Sequence, residues 1–454
     1  MIKTGAVCTS EKNWILKVFF NEFFGIEYRV TYIDKMQNTT ITLKESKKQL
    51  SLDDSFFHLA AKNWLKPESL PKPVNQFISL QNSNLHKSFI NKKTPILYGK
   101  PNIDDISNTI NFDIFGTAFF MLSLYEEAIV EKVDSHGRFS GDFSFLVNNQ
   151  LIDRPIINEY LEILWFYLNK TWPELQRKKR LYRKIISCDV DYPYSPGAYN
   201  ILRAFYQGFG DIKKRKSPKT AIKSFINPVF TFFNNYSYDP YNKFQWMMDL
   251  NEKNNNIITF NFIADHSAGI KDGIYSINES RIIKLLENIH IRGHEIGIHF
   301  SYNTYQDKDQ LVKEYKKLTQ VLEKNHIHQS IKRSRQHYLR WDSGTASKLN
   351  DTGITHDSTV GFADYAGFRC GICYEYSMYD VHQRKELSIK QNPLVTMEAT
   401  VISYMKLGYT KQAFDLMLSL KDTCRHYQGD YTLLWHNSHF LTKNDAEFYE
   451  ELIR

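Results

Sequence analysis

The sequence predicts an α/β chain. A parallel-stranded domain over residues 183–454, of a size that suits a (β/α) barrel, follows a smaller α+β domain over residues 1–175. Three observations carry that expectation. The chain has 454 residues, more than one ordinary hydrophobic core holds. A basic stretch at 176–184, QRKKRLYRK, separates two regions of different rhythm. Beyond it, short apolar runs alternate with helical periodicity to the end of the chain, the pattern of parallel strands joined by crossover helices.

The elements follow in order. In the first region Tyr28–Tyr32 and Thr39–Leu43 read as strands. Ile114–Ile129 reads as a helix, with Phe115, Ala118, Phe119 and Leu122 on one face and Glu126 and Glu127 near its end. A second apolar helix spans Ile156–Leu168, and the turn-rich DSHGRFSGDFSF connects the two. In the second region seven runs read as strands: Lys184–Val190, Ile257–Ala264, Glu295–Phe300, Ile331–Leu339, Ile354–Val360, Val395–Val401 and Tyr431–Trp435. Between several of them lie helical faces: Ile282, Leu285, Leu286 and Ile289; Leu311, Tyr315, Leu318 and Leu322; and the segment Gln412–Tyr427. Residues 193–240 show no clear rhythm and read as an excursion over the barrel mouth.

Composition narrows the function classes. Hydrophobic residues at 42% and charged residues at 24% exclude a mostly disordered chain, and 20 Gly with 13 Pro exclude collagen-like architecture. Aromatic residues at 15% supply a large core and surfaces able to stack on sugar rings. The formal net charge of +8 is concentrated in two clusters: Arg177, Lys178, Lys179, Arg180, Arg183 and Lys184, then Lys213, Lys214, Arg215, Lys216 and Lys219. Such patches meet an anionic membrane surface or substrate, or are simply a solvated linker and loop. No zinc-finger, basic-zipper or RNA-recognition signature is present, so nucleic acid is not expected as a partner.

The five cysteines, Cys8, Cys188, Cys370, Cys373 and Cys424, are too few for a disulfide framework. The CxxC of Cys370 and Cys373 lacks a second pair and reads as reduced thiols. The N-terminus lacks a secretory pattern and no apolar run is long enough to span a bilayer. A soluble, cytoplasmic protein is the expectation.

In parallel barrels chemistry sits at the C-terminal ends of strands. The first strand ends in Ser187-Cys188-Asp189-Val190-Asp191, and alternation puts Asp189 and Asp191 on one face. Two carboxylates there are costly unless a divalent metal or a shared proton offsets them; otherwise they are turn or capping aspartates. In GHEIGIHFSYN, Glu295 and His299 point together and His294 points away. In SRQHY, Arg335 and His337 share a face, and the last strand ends on His436. A single histidine after an apolar strand is usually a satisfied core residue. Several such strand ends converging on Asp, His and Arg are not explained that way.

The order DxD, GHEIGxH, an arginine strand end and a late strand end on His436 resembles the polysaccharide deacetylase family, and ITFNFIADHS resembles its second strand. The resemblance covers roughly 183–440. It implies a distorted (β/α) barrel, one divalent metal, zinc or another late first-row ion, and hydrolysis of acetyl groups from sugars or glycans. By the same resemblance FDIFGTAFFMLSLYEE, DSHGRF and RPIINEY look like a domain of unknown role found ahead of divergent bacterial members.

The resemblance assigns Asp189 as general base, Asp191 and His299 as metal ligands, Arg335 as the arginine that orients the base, with Asp357 its partner or a turn residue, and His436 as general acid, kept protonated by a neighbouring carboxylate. The family's second metal histidine would fall at Asn303. Asn303 is therefore one candidate third ligand and His337 the preferred one. Tyr192, Tyr338, Trp341 and Trp435 are candidates to stack on sugar rings or to fill the core. Competing expectations are a hydrolase of a small cyclic amide, an inactive glycan-binding or scaffolding barrel, and a membrane-peripheral protein acting on lipid-linked sugars.

Overall fold

The computed structural model describes residues 1–79, 90–91, 93–213 and 218–454. Lys214, Arg215 and Lys216 of the second basic cluster lie outside them. The first region builds a six-stranded sheet from β1 (Ile2–Gly5), β2 (Val30–Ile33), β3 (Asn38–Thr42), β4 (Gln49–Asp53), β7 (Gly99–Asp104) and β8 (Thr109–Phe112), in the order β2-β1-β3-β4-β8-β7. A small antiparallel pair, β5 (Phe77–Ser79) and β6 (Lys93–Pro95), stands beside it.

The second region forms a nine-stranded mixed sheet from β9 (Arg183–Val190), β10 (Ile258–Ile263), β11 (Glu295–Phe300), β12 (Arg333–Gln336), β13 (His356–Asp357), β14 (Tyr376–Asp380), β15 (Lys385–Gln391), β16 (Thr396–Met397) and β17 (Asp430–Leu434). Its order is β14-β15-β13-β12-β11-β10-β9-β17-β16, and every pairing except β14–β15 is parallel. The central strands are buried on both faces, which is why they read as near-continuous apolar runs. Helices Ser280–Ile291 and Lys308–Lys324 pack their predicted apolar faces inward, the second capped by Asp307, which accepts from the Gln310 N–H.

The sheet curls. The run from Lys385 to Met397 pairs first with β13 and then, as β16, with β17. Between the two, Asn392 N–H donates to Asp357 O, Leu394 N–H to Val360 O and Val395 N–H to Thr432 O. One stretch of backbone thereby spans from β13 across to β17. Register aligns the strand ends: Asn261 lies beside Asp189, Ile263 beside His299, and His299 beside Arg335.

Three expectations change. The helix read over Ile114–Ile129 ends at Leu122, because Leu124 takes a left-handed conformation (φ 54°) and the chain tightens into a short 3-10 turn. The excursion over 193–240 contains two helices, Ile201–Lys213 and Pro218–Phe232, which Gly208, Gly210 and Pro228 hid from a pattern reading. Antiparallel β14–β15 was not anticipated; it receives the N-terminal region. Trp14 Nε1 donates to Ser377 O at 2.9 Å, and the Arg384 guanidinium grips Glu11. Buried apolar residues of both regions form one continuous core.

The turn after Leu122 also places a carboxyl where its charge is costly. Burial pushes Glu126 up to about 8, against the hydrogen bond it accepts from Phe145 N–H at 2.8 Å and with the charge of Glu127 adding to the rise. A carboxyl raised on folding keeps its proton in the native state while the unfolded chain releases it. Stability therefore falls as pH rises from the ordinary glutamate range to about 8. Glu126→Gln should flatten that decline, by on the order of 2 kcal/mol, in urea unfolding at pH 5 and pH 8. Parallel pH dependence in both proteins would refute the assignment.

Candidate metal centre

Five strand ends place the site. Asp191 follows β9, His299 is on β11, His337 follows β12 and His436 follows β17, while β10 contributes Asn261. Asp191 Oδ1 lies 3.3 Å from His299 Nε2 and 3.5 Å from His337 Nε2. Asp191 Oδ2 lies 3.7 Å from His436 Nε2. Asp189 Oδ2 lies 3.7 Å from both His299 Nε2 and Arg335 Nε.

The outer nitrogens of the two inner histidines are already engaged. His299 Nδ1 meets Arg335 O at 3.0 Å, and His337 Nδ1 meets Asp272 Oδ1 at 3.0 Å. This is how metal-binding histidines are oriented, with the second nitrogen tied so that the first faces the ion. Asp272 is itself fixed by the N–H groups of Tyr302, Ala268 and Ser267. The ligand atoms of Asp191, His299 and His337 all lie within 4.8 Å of one another. Asp191 Oδ1 is buried and, among the described residues, accepts no hydrogen bond. One carboxylate and two imidazoles converging on such an atom fit a late first-row divalent ion with a position left for water.

Electrostatics agree. Burial works against the charge on Asp191, yet His337, His299 and His436 hold its carboxyl well below the usual range. Burial would lower His337, but Asp191 and Asp272 push it up to about 9. The carboxylates that favour a proton there favour a cation equally.

Asn303 does not join this group. Its Nδ2 donates to Ser267 O at 2.9 Å and its Oδ1 accepts from Arg340 at 3.2 Å. His337, not Asn303, stands beside Asp191 and His299 in the group that could hold a metal ion. It does so by a route other than strand alternation, since β12 ends at Gln336 and His337 sits in a turn forced by left-handed Tyr338 (φ 60°) and Leu339 (φ 54°).

Asp189 is fixed by Asn261 Nδ2, which donates to its Oδ1 at 2.8 Å. Gly297 on β11 makes that possible, because a Cβ there would stand 2.1 Å from Asn261 Oδ1. Arg335 is fully buried and donates to Ser187 Oγ and Ser358 Oγ as well as facing Asp189. Asp357 takes its hydrogen bonds from Ser334 and from the N–H and hydroxyl of Thr359. It stabilises its own turn and feels Arg335 only through charge, so the direct partnership does not form. His294 turns away, as expected, and accepts from Ile258 N–H.

Besides Asn261 and Asp272, two further residues of the site escaped the sequence reading. Glu398, just after β16, accepts from His436 Nδ1 at 2.5 Å and from His439 Nδ1 at 2.7 Å. Burial disfavours the imidazolium of His436, but Glu398, with Asp191 and Asp189 behind it, pushes the ring up to about 10. The carboxylate expected to keep His436 charged is thus Glu398. Arg138, from the first region, donates to Tyr338 O and lines the same cavity.

That cavity, about 430 Å³, is lined by the site residues together with Tyr192, Tyr338, Lys271 and Tyr404. Tyr192 and Tyr338 are therefore placed to meet a ligand. Trp435 and Trp341 are buried in the core, Trp435 stacked on Phe440.

Basic residues of the first cluster are engaged within the protein. Arg177 pairs with Glu162, Arg180 lies over Tyr374, and Arg183 pairs with Asp430 and Glu375. The five cysteines are buried thiols. Among the described residues no helix is long and apolar enough to cross a membrane.

Residues 1–173 match the model of a family described as "Family of unknown function (DUF7033)". No curated protein matches the chain. Among solved structures, the chain is similar to a candidate polysaccharide deacetylase from Mycobacterium smegmatis, at 14% identity, over 61% of this chain and 84% of that one, with a TM-score of 0.39. It is also similar to a candidate polysaccharide deacetylase involved in O-antigen biosynthesis from Bordetella bronchiseptica, at 14% identity, over 42% of this chain and 64% of that one, with a TM-score of 0.24. Likeness at this level carries no functional argument.

Proposed function

We propose that the protein is a metal-dependent hydrolase that removes an acetyl group from a sugar or glycan. One observation carries this reading. Asp191, His299 and His337 converge with Asp189 on one flank and His436 on another, all lining one cavity, and Glu398 backs His436 from behind. In this reading the curled sheet is the distorted (β/α) barrel, closed by the run Asn392–Val395, and zinc is the resident ion.

When bound, the ion supplies Lewis acidity toward the acyl oxygen and toward water. The chain's own groups do the rest. Asp189 Oδ2 takes a proton from the attacking water, while Asn261 and Arg335 hold the carboxylate in place. His436 Nε2 gives a proton to the leaving amine or alkoxide, and Glu398 keeps that imidazole protonated and aimed. Tyr192 and Tyr338 flank the sugar. The departure at Asn303 favoured an inactive binder; His337 among the converging ligands removes that support.

The test is acetate release from N-acetylated and O-acetylated oligosaccharides before and after chelation. Release that disappears with the chelator and returns with added zinc is expected. Zinc-replete protein that binds these sugars yet releases no acetate would make it a glycan-binding barrel instead.

A further inference from the structure

The two helices that follow β9 invert the usual rule for a surface helix. In Ile201–Lys213 the small or bonded residues Ala204, Gly208 and Asp211 face inward, with Asp211 accepting from Ser224 Oγ. The large apolar residues Ile201, Phe205, Phe209 and Ile212, spaced four, four and three apart, face outward. Phe209 is 64% exposed and Tyr206 81%. The second helix continues this surface with Ile222, Val229 and Phe232, the last 81% exposed, and Phe233 follows directly. Gly208 lets the helices approach, since a Cβ there would meet the Phe225 ring at 2.5 Å. A contiguous apolar patch of this kind marks an interaction surface.

We propose that this hairpin docks the protein on an anionic lipid bilayer, with its aromatic face in the headgroup boundary and the rim of the metal centre held at the membrane surface. Charge selects that occupant. Between residues 201 and 232 the sequence carries seven Lys or Arg and one acid, Asp211, which is buried. A basic helix pair with exposed Phe, Tyr and Ile is the composition of an interfacial element. Two copies brought together through these hairpins would oppose two segments of net positive charge.

The hairpin is anchored beside the site at both feet. Asn437, next to His436, donates to Tyr192 O and Tyr241 O, each at 2.9 Å. Asp239 accepts from the N–H and hydroxyl of Ser195 and from Asn227 Nδ2. A bilayer contact made by the helices therefore fixes the position of the cavity that Tyr192 lines.

Flotation with phosphatidylcholine vesicles, with and without phosphatidylglycerol, tests the proposal on the full chain. The protein should float with the phosphatidylglycerol vesicles at low salt, and raising salt should weaken the association. Phe205→Ser, Phe209→Ser and Phe232→Ser combined should reduce binding by on the order of tenfold, with unchanged circular dichroism. If the triple variant misfolds, Phe232→Glu alone serves, because that side chain is 81% exposed. Failure to bind phosphatidylglycerol vesicles, or a folded variant that binds as well as the wild type, would overturn the proposal. So would a vesicle-indifferent dimer that these substitutions convert to monomer, which would assign the face to a second copy.

Discussion

Asp189→Asn is expected to leave metal content intact while lowering hydrolysis by about 10³-fold. The amide preserves the shape that Asn261 holds but cannot accept the proton of water. His436→Gln should cost a similar factor by removing the proton donor, again without loss of metal. Glu398→Gln separates the donor from its support. It removes the charge that raises His436, so the alkaline limb of the pH–rate profile should move to lower pH with KM little changed. Measured kcat and metal content decide these outcomes together. A variant at Asp189 that retains full activity would remove it as the base.

The largest effect on stability is expected where the N-terminal region meets the second sheet. Arg369 donates to both oxygens of Glu127, at 2.9 and 2.7 Å, and to Gly361 O, with both side chains at most 5% exposed. Arg369→Ala leaves a buried carboxylate without its partner and should cost about 3–5 kcal/mol. Replacing the pair with Met and Leu should recover most of that loss, since the attraction of a buried pair largely offsets its own desolvation. Urea unfolding of the single and double variants checks both statements. A loss below about 1 kcal/mol for Arg369→Ala would contradict the assignment of this pair as a buried contact that holds the two regions together.

The second sheet was legible because strands buried on both faces must be apolar, and all seven anticipated runs contain a strand. The site was legible for a related reason. Asp189, Asp191, His299 and His436 break apolar runs at strand ends, where a charge has no structural reason to be. Asn261 sends the same signal inside ITFNFI. Glu398 lies inside the anticipated run Val395–Val401, just beyond the short β16, and was passed over although it breaks that run as the aspartates break theirs. Asp272 lies in a loop, and only the folded chain brings it to His337. The strands of the N-terminal sheet are short and mixed in polarity, which left most of them unread. The helices after β9 were missed because Gly208, Gly210 and Pro228, residues that usually punctuate loops, interrupt them.

Metal stoichiometry tests the central claim most directly. Elemental analysis of the purified wild type should find about one late first-row divalent ion per chain. Asp191→Ala, His299→Ala and His337→Ala should lose it, and Asn303→Ala should keep it. A wild type that is empty and takes up no added zinc, or a His337→Ala protein that retains metal as well as Asn303→Ala, would contradict the account.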